Sequence, residues 1–231
     1  MHDTLFWLIQ NLQDLPEGDD WLSAAEQSIS AGLRFPKRRN DWRLGRWTAK
    51  KAILAYRRKE NSVLSSLEIR AAADGAPEAF WNDESGNISV SISHSHERCF
   101  CVVGSCDFSV GCDLERIEPR ENNLLSDYFT PEEVSYCAQA PDDRKSLTVN
   151  LIWSCKESAL KVLRQGLRRD TRSIVIHPDP WERDEVWNAW TGHCLETSQL
   201  LNGWWRSCNG FVYTLASNRT TSVPEPLRLL S

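Results

Sequence analysis

From residue 141 to about residue 166 the apolar and polar positions recur at three- and four-residue intervals, the period of a helix. Asn150, Trp153, Glu157, Leu160, Lys161 and Arg164 fall on one face of it. Pro141-Asp142 opens this helix and Gly166 is its expected end. Just upstream, Thr130-Pro131-Glu132-Glu133 is a capping box with proline at the first helical position, and the helix it opens should reach about Ala140. Near the N-terminus, Asp19 or Asp20 can cap a short helix through about Ile29. The basic run Arg34-Phe35-Pro36-Lys37-Arg38-Arg39-Asn40 then leads into a helix over about 41–58 that buries Leu44, Trp47 and Ile53.

Alternation of period two marks strands at 4–10, 67–71, 79–81, 88–93, 100–104 and 109–114, and later at 174–176, 186–190, 204–208 and 211–216. Asp74-Gly75-Ala76-Pro77 ends one of them in a turn. Each half of the chain therefore reads as helices packed on a small antiparallel sheet. The expected fold is α+β, two similar half-domains in a pseudo-two-fold arrangement, although no identity between the halves is evident. The expected divisions are residues 1–115, with the basic segment, 116–218, with the long helix, and a loose tail over 219–231 that carries Pro224 and Pro226.

Composition narrows the partners. A formal net charge of -5 provides no global field for nucleic acid or an anionic membrane, so a polyanion needs a local basic patch or a divalent cation. The apolar runs are too short to span a bilayer, and Met1-His2-Asp3 lacks the basic lead of a signal peptide. A cytoplasmic monomer, with no nucleic-acid or membrane partner, is the expectation. The eight cysteines show no zinc-ribbon spacing and read as reduced, small apolar residues.

Two clusters carry candidate chemistry. Asp113 and Glu115, two apart at the end of a strand, point to the same side, and like charges so close call for a cation between them or a proton on one. Gly111 leaves room for a close backbone approach. If Glu157 of the long helix faces this pair, the trio makes a hard-cation site of the kind magnesium takes. The plainer reading of Glu157 and Lys161 is an exposed ion pair one turn apart.

In order along the chain stand Phe35 to Lys51 with Gly45-Arg46, the Gly75-Ala76-Pro77 turn, Ser91-Ile92-Ser93-His94-Ser95, Val110-Gly111-Cys112-Asp113-Leu114-Glu115, Phe129-Thr130-Pro131-Glu132-Glu133, and Trp153-Ser154-Cys155-Lys156-Glu157-Ser158-Ala159-Leu160-Lys161. This series resembles the 4′-phosphopantetheinyl transferases of the long, Sfp-type class over residues 35–167. The resemblance implies a pseudo-dimer of two α+β halves with coenzyme A in the cleft between them. It implies magnesium on Asp113, Glu115 and Glu157, and the 3′-phosphate of coenzyme A on His94 with Ser93 and Ser95 nearby. Lys37, Arg38 and Arg46 would lie on the phosphates, Gly75 to Pro77 along the nucleotide, and Lys161 on the pyrophosphate. Trp153 would set the helix against the core. The chain departs from the family at Ala76, where a lysine is usual, and at Cys112, where an aliphatic residue is usual.

The implied reaction transfers 4′-phosphopantetheine from coenzyme A to a serine of an apo acyl or peptidyl carrier protein and releases adenosine 3′,5′-bisphosphate. Glu157 is the candidate acceptor of the serine proton, either directly or through a metal-bound water. A magnesium-dependent phosphodiesterase or nucleotidyl transferase using the same carboxylates, and a carrier-binding paralogue without turnover, stay open as alternatives.

Overall fold

A computed structural model describes residues 4–229 except 60, 166–168 and 182. The chain forms two compact units, Thr4–Phe108 joined by the tail from Pro224, and Ser109–Val223. They are called the N-terminal and C-terminal units below.

The N-terminal unit contains β1 (Phe6–Asn11), α1 (Ala24–Gly32), α2 (Pro36–Tyr56), β2 (Leu67–Ala71), β3 (Pro77–Trp81), β4 (Glu84–Ser85), β5 (Ile88–Ser95) and β6 (Arg98–Ser105). The C-terminal unit follows with β7 (Val110–Arg116), α3 (Asn122–Tyr128), α4 (Pro131–Gln139), α5 (Lys145–Val162), β8 (Ile174–Pro178), β9 (Asn188–Cys194), β10 (Leu200–Cys208) and β11 (Phe211–Ser217). A short β12 (Glu225–Pro226) returns to the N-terminal unit. The N-terminal unit holds two sheets, β12-β1-β6-β5 and β2-β3-β4, whereas the C-terminal unit holds one, β7-β11-β10-β9-β8. This mixed α+β architecture is the class that the periodicities predict. Among the described residues no helix is long and apolar enough to cross a membrane.

Each unit packs its longest helix on its sheet. Ala49, Ala52, Ile53 and Leu54 of α2 meet Leu8, Val90, Cys101 and Val103 of the strands. Leu151, Ile152, Cys155, Ala159 and Leu160 of α5 meet Ile174, Ile176, Trp190 and Val212. Removing each such Leu or Ile side chain from water contributes about 1.5–3 kcal/mol.

A buried ion pair ties helix to helix in both units. Glu26 caps its own helix by accepting from Ser23 N (3.0 Å), and it also accepts from Lys50 Nζ (2.5 Å) and Ile69 N (3.0 Å). Glu133 likewise accepts from Thr130 N (2.8 Å), Lys156 Nζ (2.8 Å) and Ile176 N (3.0 Å). Both lysines are fully buried.

Several boundaries differ from the sequence reading. Ser23, with Glu26 three residues on, caps α1, and Asp19 instead pairs with Arg43 at 2.8 Å. Pro36 stands at the first turn of α2, so the basic run lies inside the helix instead of before it. The strand with Asp113 and Glu115 leaves the N-terminal meander and pairs along its whole length with β11. The division therefore falls after Phe108, not after Glu115. Helix α3 was not anticipated: its N-cap is Glu121, which makes no side-chain cap, and it spans only seven residues. The long helix proper starts at Lys145, after a 3-10 turn at Asp142–Arg144, and its expected end at Gly166 lies outside the described residues. The tail is not loose: Glu225 and Pro226 pair with β1, and Leu227 and Leu229 pack on the N-terminal core.

Candidate active site

Gly111 decides how closely α5 approaches β7. A Cβ there would sit 2.0 Å from the Ser158 carbonyl oxygen and 2.9 Å from Lys161 Cβ. Only a residue without a side chain lets helix and strand meet at this distance. The approach brings the helix face carrying Trp153, Glu157 and Lys161 onto the strand face carrying Asp113 and Glu115.

Asp113 is buried and held from two sides. Ser154 Oγ donates to its Oδ2 at 2.9 Å, and Lys161 Nζ donates to Oδ1 at 3.1 Å and to the Cys112 carbonyl at 2.6 Å. Glu115 is clamped by Trp153 Nε1 on Oε1 (2.9 Å) and Arg120 Nη2 on Oε2 (2.6 Å). Arg120 is itself held by Nε to Asn150 Oδ1 (2.5 Å), and Asn150 donates to the carbonyls of Glu118 and Ser146. Tyr128 stacks edge-on against Trp153 with ring centroids 5.2 Å apart. Glu157, alone of the three, makes no hydrogen bond or ion pair among the described residues. The Glu157–Lys161 ion pair suggested by their spacing is replaced by Lys161–Asp113.

The electrostatics follow from this crowding. Burial, then the nearby Asp113 and Glu115 charges, push the Glu157 carboxyl up to about 7, against the opposing pull of Lys161. Burial and Asp113 also raise Glu115, with Arg120 and Trp153 working the other way. Burial pulls Lys161 down, but Asp113, Cys112 and Glu157 together outweigh it and leave the ammonium raised. Three carboxylates that disfavour one another's charge are a donor set of hard oxygens, the kind that a divalent cation relieves. They do not form a ready cage, however: among the described residues no three acidic, histidine or cysteine groups converge as a metal cluster. Lys161 and Arg120 hold two of the three.

A second group of predicted residues gathers in the N-terminal unit. Lys37, Arg38, Arg46 and His94 line a cavity of about 480 Å³ together with Phe35 and Trp42. Helix α2 supplies the cations because Pro36 starts it early enough to place Lys37 and Arg38 in its first turn. The Arg46 guanidinium lies 4.6 Å over the Trp42 ring, and burial lowers it, partly offset by Glu26. Lys37 pairs with Asp41 at 3.0 Å. Ser93, Ser95, Gly75 and Pro77 do not line this cavity. Ser93 lies on the opposite strand face from His94, Ser95 Oγ bonds His96 Nδ1 at 3.0 Å, and Gly75 turns the chain at φ +91° before Pro77 opens β3.

Arg120, Ser154, Ser158 and Thr214 were missed in the sequence. Ser154 and Ser158 share a helix face at i, i+4, which was the available signal. Arg120 and Thr214 left none, being five and one hundred residues from the carboxylates they serve.

Residues 109–215 match the model of the 4′-phosphopantetheinyl transferase superfamily. The chain is 26% identical over 184 residues to the 4′-phosphopantetheinyl transferase HetI of Nostoc sp. strain PCC 7120, covering 78% of this chain and 74% of that protein. A crystal structure of a holo-(acyl-carrier-protein) synthase from Bacillus anthracis, in complex with CoA (3′,5′-ADP), aligns at 22% identity with a TM-score of 0.36, over 44% of this chain and 93% of that one. The superfamily match covers Asp113, Glu115, Glu157 and Lys161, so the segment that carries these residues is similar to the 4′-phosphopantetheinyl transferase superfamily, and the relative extends that similarity along most of the chain.

Proposed function

We propose that the protein transfers 4′-phosphopantetheine from coenzyme A to a serine of an apo acyl or peptidyl carrier protein, with magnesium, and releases adenosine 3′,5′-bisphosphate. The observation that carries this reading is that one strand–helix junction within the superfamily segment places Lys161 on Asp113, Trp153 on Glu115, and Glu157 within the field of both carboxylates. Asp113, Glu115 and Glu157 would hold Mg2+, which supplies positive charge against the pyrophosphate of coenzyme A.

The remaining work falls to the chain's own groups. Lys161, kept protonated by Asp113, is the ammonium placed to offset charge on the departing phosphate oxygen. Glu157, without a hydrogen bond or ion pair among the described residues and pushed up to about 7 by burial and its acidic neighbours when no cation is bound, is the group placed to accept the serine proton, directly or through a water. The Tyr128–Trp153 pair and the Arg120–Asn150 contact keep Glu115 from turning away. Lys37, Arg38 and Arg46 would supply the cations for the 3′-phosphate end, with the His94 ring beside them, and Trp42 and Phe35 would supply apolar surface for its base. Ser93, Ser95 and the Gly75 to Pro77 turn stay in this reading as neighbours of the nucleotide on the strength of their motifs.

The long, pseudo-two-fold class belongs to the same proposal, supported by the matched Glu26–Lys50 and Glu133–Lys156 contacts. So does a monomer acting in the cytoplasm. The test is the intact mass of a panel of apo carrier proteins after incubation with coenzyme A and Mg2+. One phosphopantetheine added to a serine, with one bisphosphate released per carrier, is the expected result. Hydrolysis of coenzyme A without any carrier would overturn it in favour of a phosphodiesterase.

A further inference from the structure

Beneath Asp113 runs a chain of hydroxyls. Ser154, Ser158 and Thr214 are all fully buried. Ser154 Oγ lies 2.9 Å from Asp113 Oδ2, and the carboxylate can only accept, so the single Ser154 hydrogen goes there. Thr214 Oγ1 donates to the Ser154 carbonyl oxygen at 2.9 Å and lies 2.8 Å from Ser154 Oγ, whose own hydrogen is engaged, so the single Thr214 hydrogen is shared between these two acceptors of Ser154. Ser158 Oγ is 2.6 Å from Thr214 Oγ1 and 3.2 Å from its carbonyl, so its hydrogen goes to Thr214. All three donors point one way, from Ser158 through Thr214 and Ser154 to Asp113. Such a run polarises its members cumulatively toward the charge at its end.

The N-terminal unit shows that packing alone does not call for these hydroxyls. Setting Lys50 against Lys156 places Thr48 opposite Ser154 and Ala52 opposite Ser158. The hairpin turns at His96-Glu97 and Asn209-Gly210, all at positive φ, set Cys101 opposite Thr214. Leu8 faces Cys101 across the ladder as Asp113 faces Thr214. With a leucine in place of the aspartate, two of the three hydroxyls are replaced by alanine and cysteine, and Thr48 Oγ1 turns back to the Leu44 carbonyl at 2.8 Å. Burying a hydroxyl without need is unfavourable, and the chain of them occurs where the carboxylate does.

We propose that Ser158, Thr214 and Ser154 are positioning residues that hold Asp113 by Oδ2 and so turn Oδ1 toward Lys161 and the guest of the site. The inference rests on the functional reading above and assigns the hydroxyls a part in it. The test compares Thr214→Val, Thr214→Ser and Ser158→Ala in the full chain, with Thr48→Val as the matched control. Mn2+ affinity is measured by electron paramagnetic resonance, and kcat and KM for coenzyme A are measured with an apo carrier protein. Thr214→Val is expected to weaken Mn2+ binding and lower kcat by about tenfold each, the upper size of one neutral hydrogen bond, with KM for coenzyme A unchanged. Thr214→Ser should restore both, and Thr48→Val should match the parent protein. Parent-like behaviour of Thr214→Val in both measurements overturns the inference, as does equal damage from Thr214→Ser, which would assign the effect to packing. If thermal melting shows that Thr214→Val is unfolded, Ser158→Ala decides, with about threefold expected and no change overturning. A parent protein without transfer activity would sink the functional reading instead, and the Mn2+ measurements would still decide the positioning of Asp113.

Discussion

Glu26 and Glu133 do the same work in the two units, and nearly atom for atom. Each completes a capping box, pairs with a buried lysine one helix on, and accepts the backbone N–H of an isoleucine 43 residues later. Trp21 meets Trp47 edge-on at 5.2 Å and 72°, and Tyr128 meets Trp153 at 5.2 Å and 73°. Once the lysines are aligned, Trp47-Thr48-Ala49-Lys50-Lys51-Ala52-Ile53-Leu54 stands against Trp153-Ser154-Cys155-Lys156-Glu157-Ser158-Ala159-Leu160, with Trp, Lys and Leu identical. The halves therefore share a short identity after all. The difference lies in what the shared frame carries. Asp113, Glu115, Glu157 and Lys161 stand opposite Leu8, Gln10, Lys51 and Ala55. The support is common to both units, and the carboxylate chemistry is confined to one.

The strongest way to break this comparison is to exchange the arms. Asp113→Asn or Glu157→Gln should lower kcat by at least about a hundredfold, while Gln10→Leu and Lys51→Gln leave turnover near the parent value. Circular dichroism would confirm that all four stay folded, and comparable losses in the N-terminal pair would show that both units carry the chemistry.

Next in size come the latches. Lys50→Met and Lys156→Met each leave a buried carboxylate unpaired, and each should cost about 3–5 kcal/mol in urea unfolding. A latch whose loss costs under about 1 kcal/mol would mean that the two pairs are alike in geometry only.

The smallest effect sharpens the electrostatic contrast. Glu157 titrates near 7 in the folded protein against an ordinary 4.5, so between those values the folded state binds more protons than the unfolded one. Stability in the presence of a chelator should therefore fall as pH rises through this window, by on the order of 1 kcal/mol after solvent screening. Glu157→Gln should flatten that part of the pH–melting curve, and an unchanged slope would assign it to another group.

Local patterns in the sequence were sufficient for most of the elements and for the faces that carry the candidate site. The period of two in Val110 to Glu115 put Asp113 and Glu115 on one side, and the period of 3.6 put Trp153, Glu157 and Lys161 on one face. The capping box at Thr130 and Glu133 located the start of α4 to the residue. The same patterns misplaced groups whose partners are distant. Lys156, between a cysteine and a glutamate in the sequence, gives no sign of being fully buried, and Glu133 gives none of a second role beyond its own helix.

By itself, then, the sequence determined an α+β chain, its helix and strand faces, and which carboxylates and lysine share the faces of the candidate site, because these follow from spacings of two to four residues. Only the tertiary structure decided that Lys161 pairs with Asp113 instead of Glu157, that Arg120 clamps Glu115, and that hydroxyls from α5 and β11 support Asp113. The physical reason is strand order. Pairing β7 with β11 brings together residues a hundred positions apart, and a hydrogen bond across that distance leaves no period in the chain.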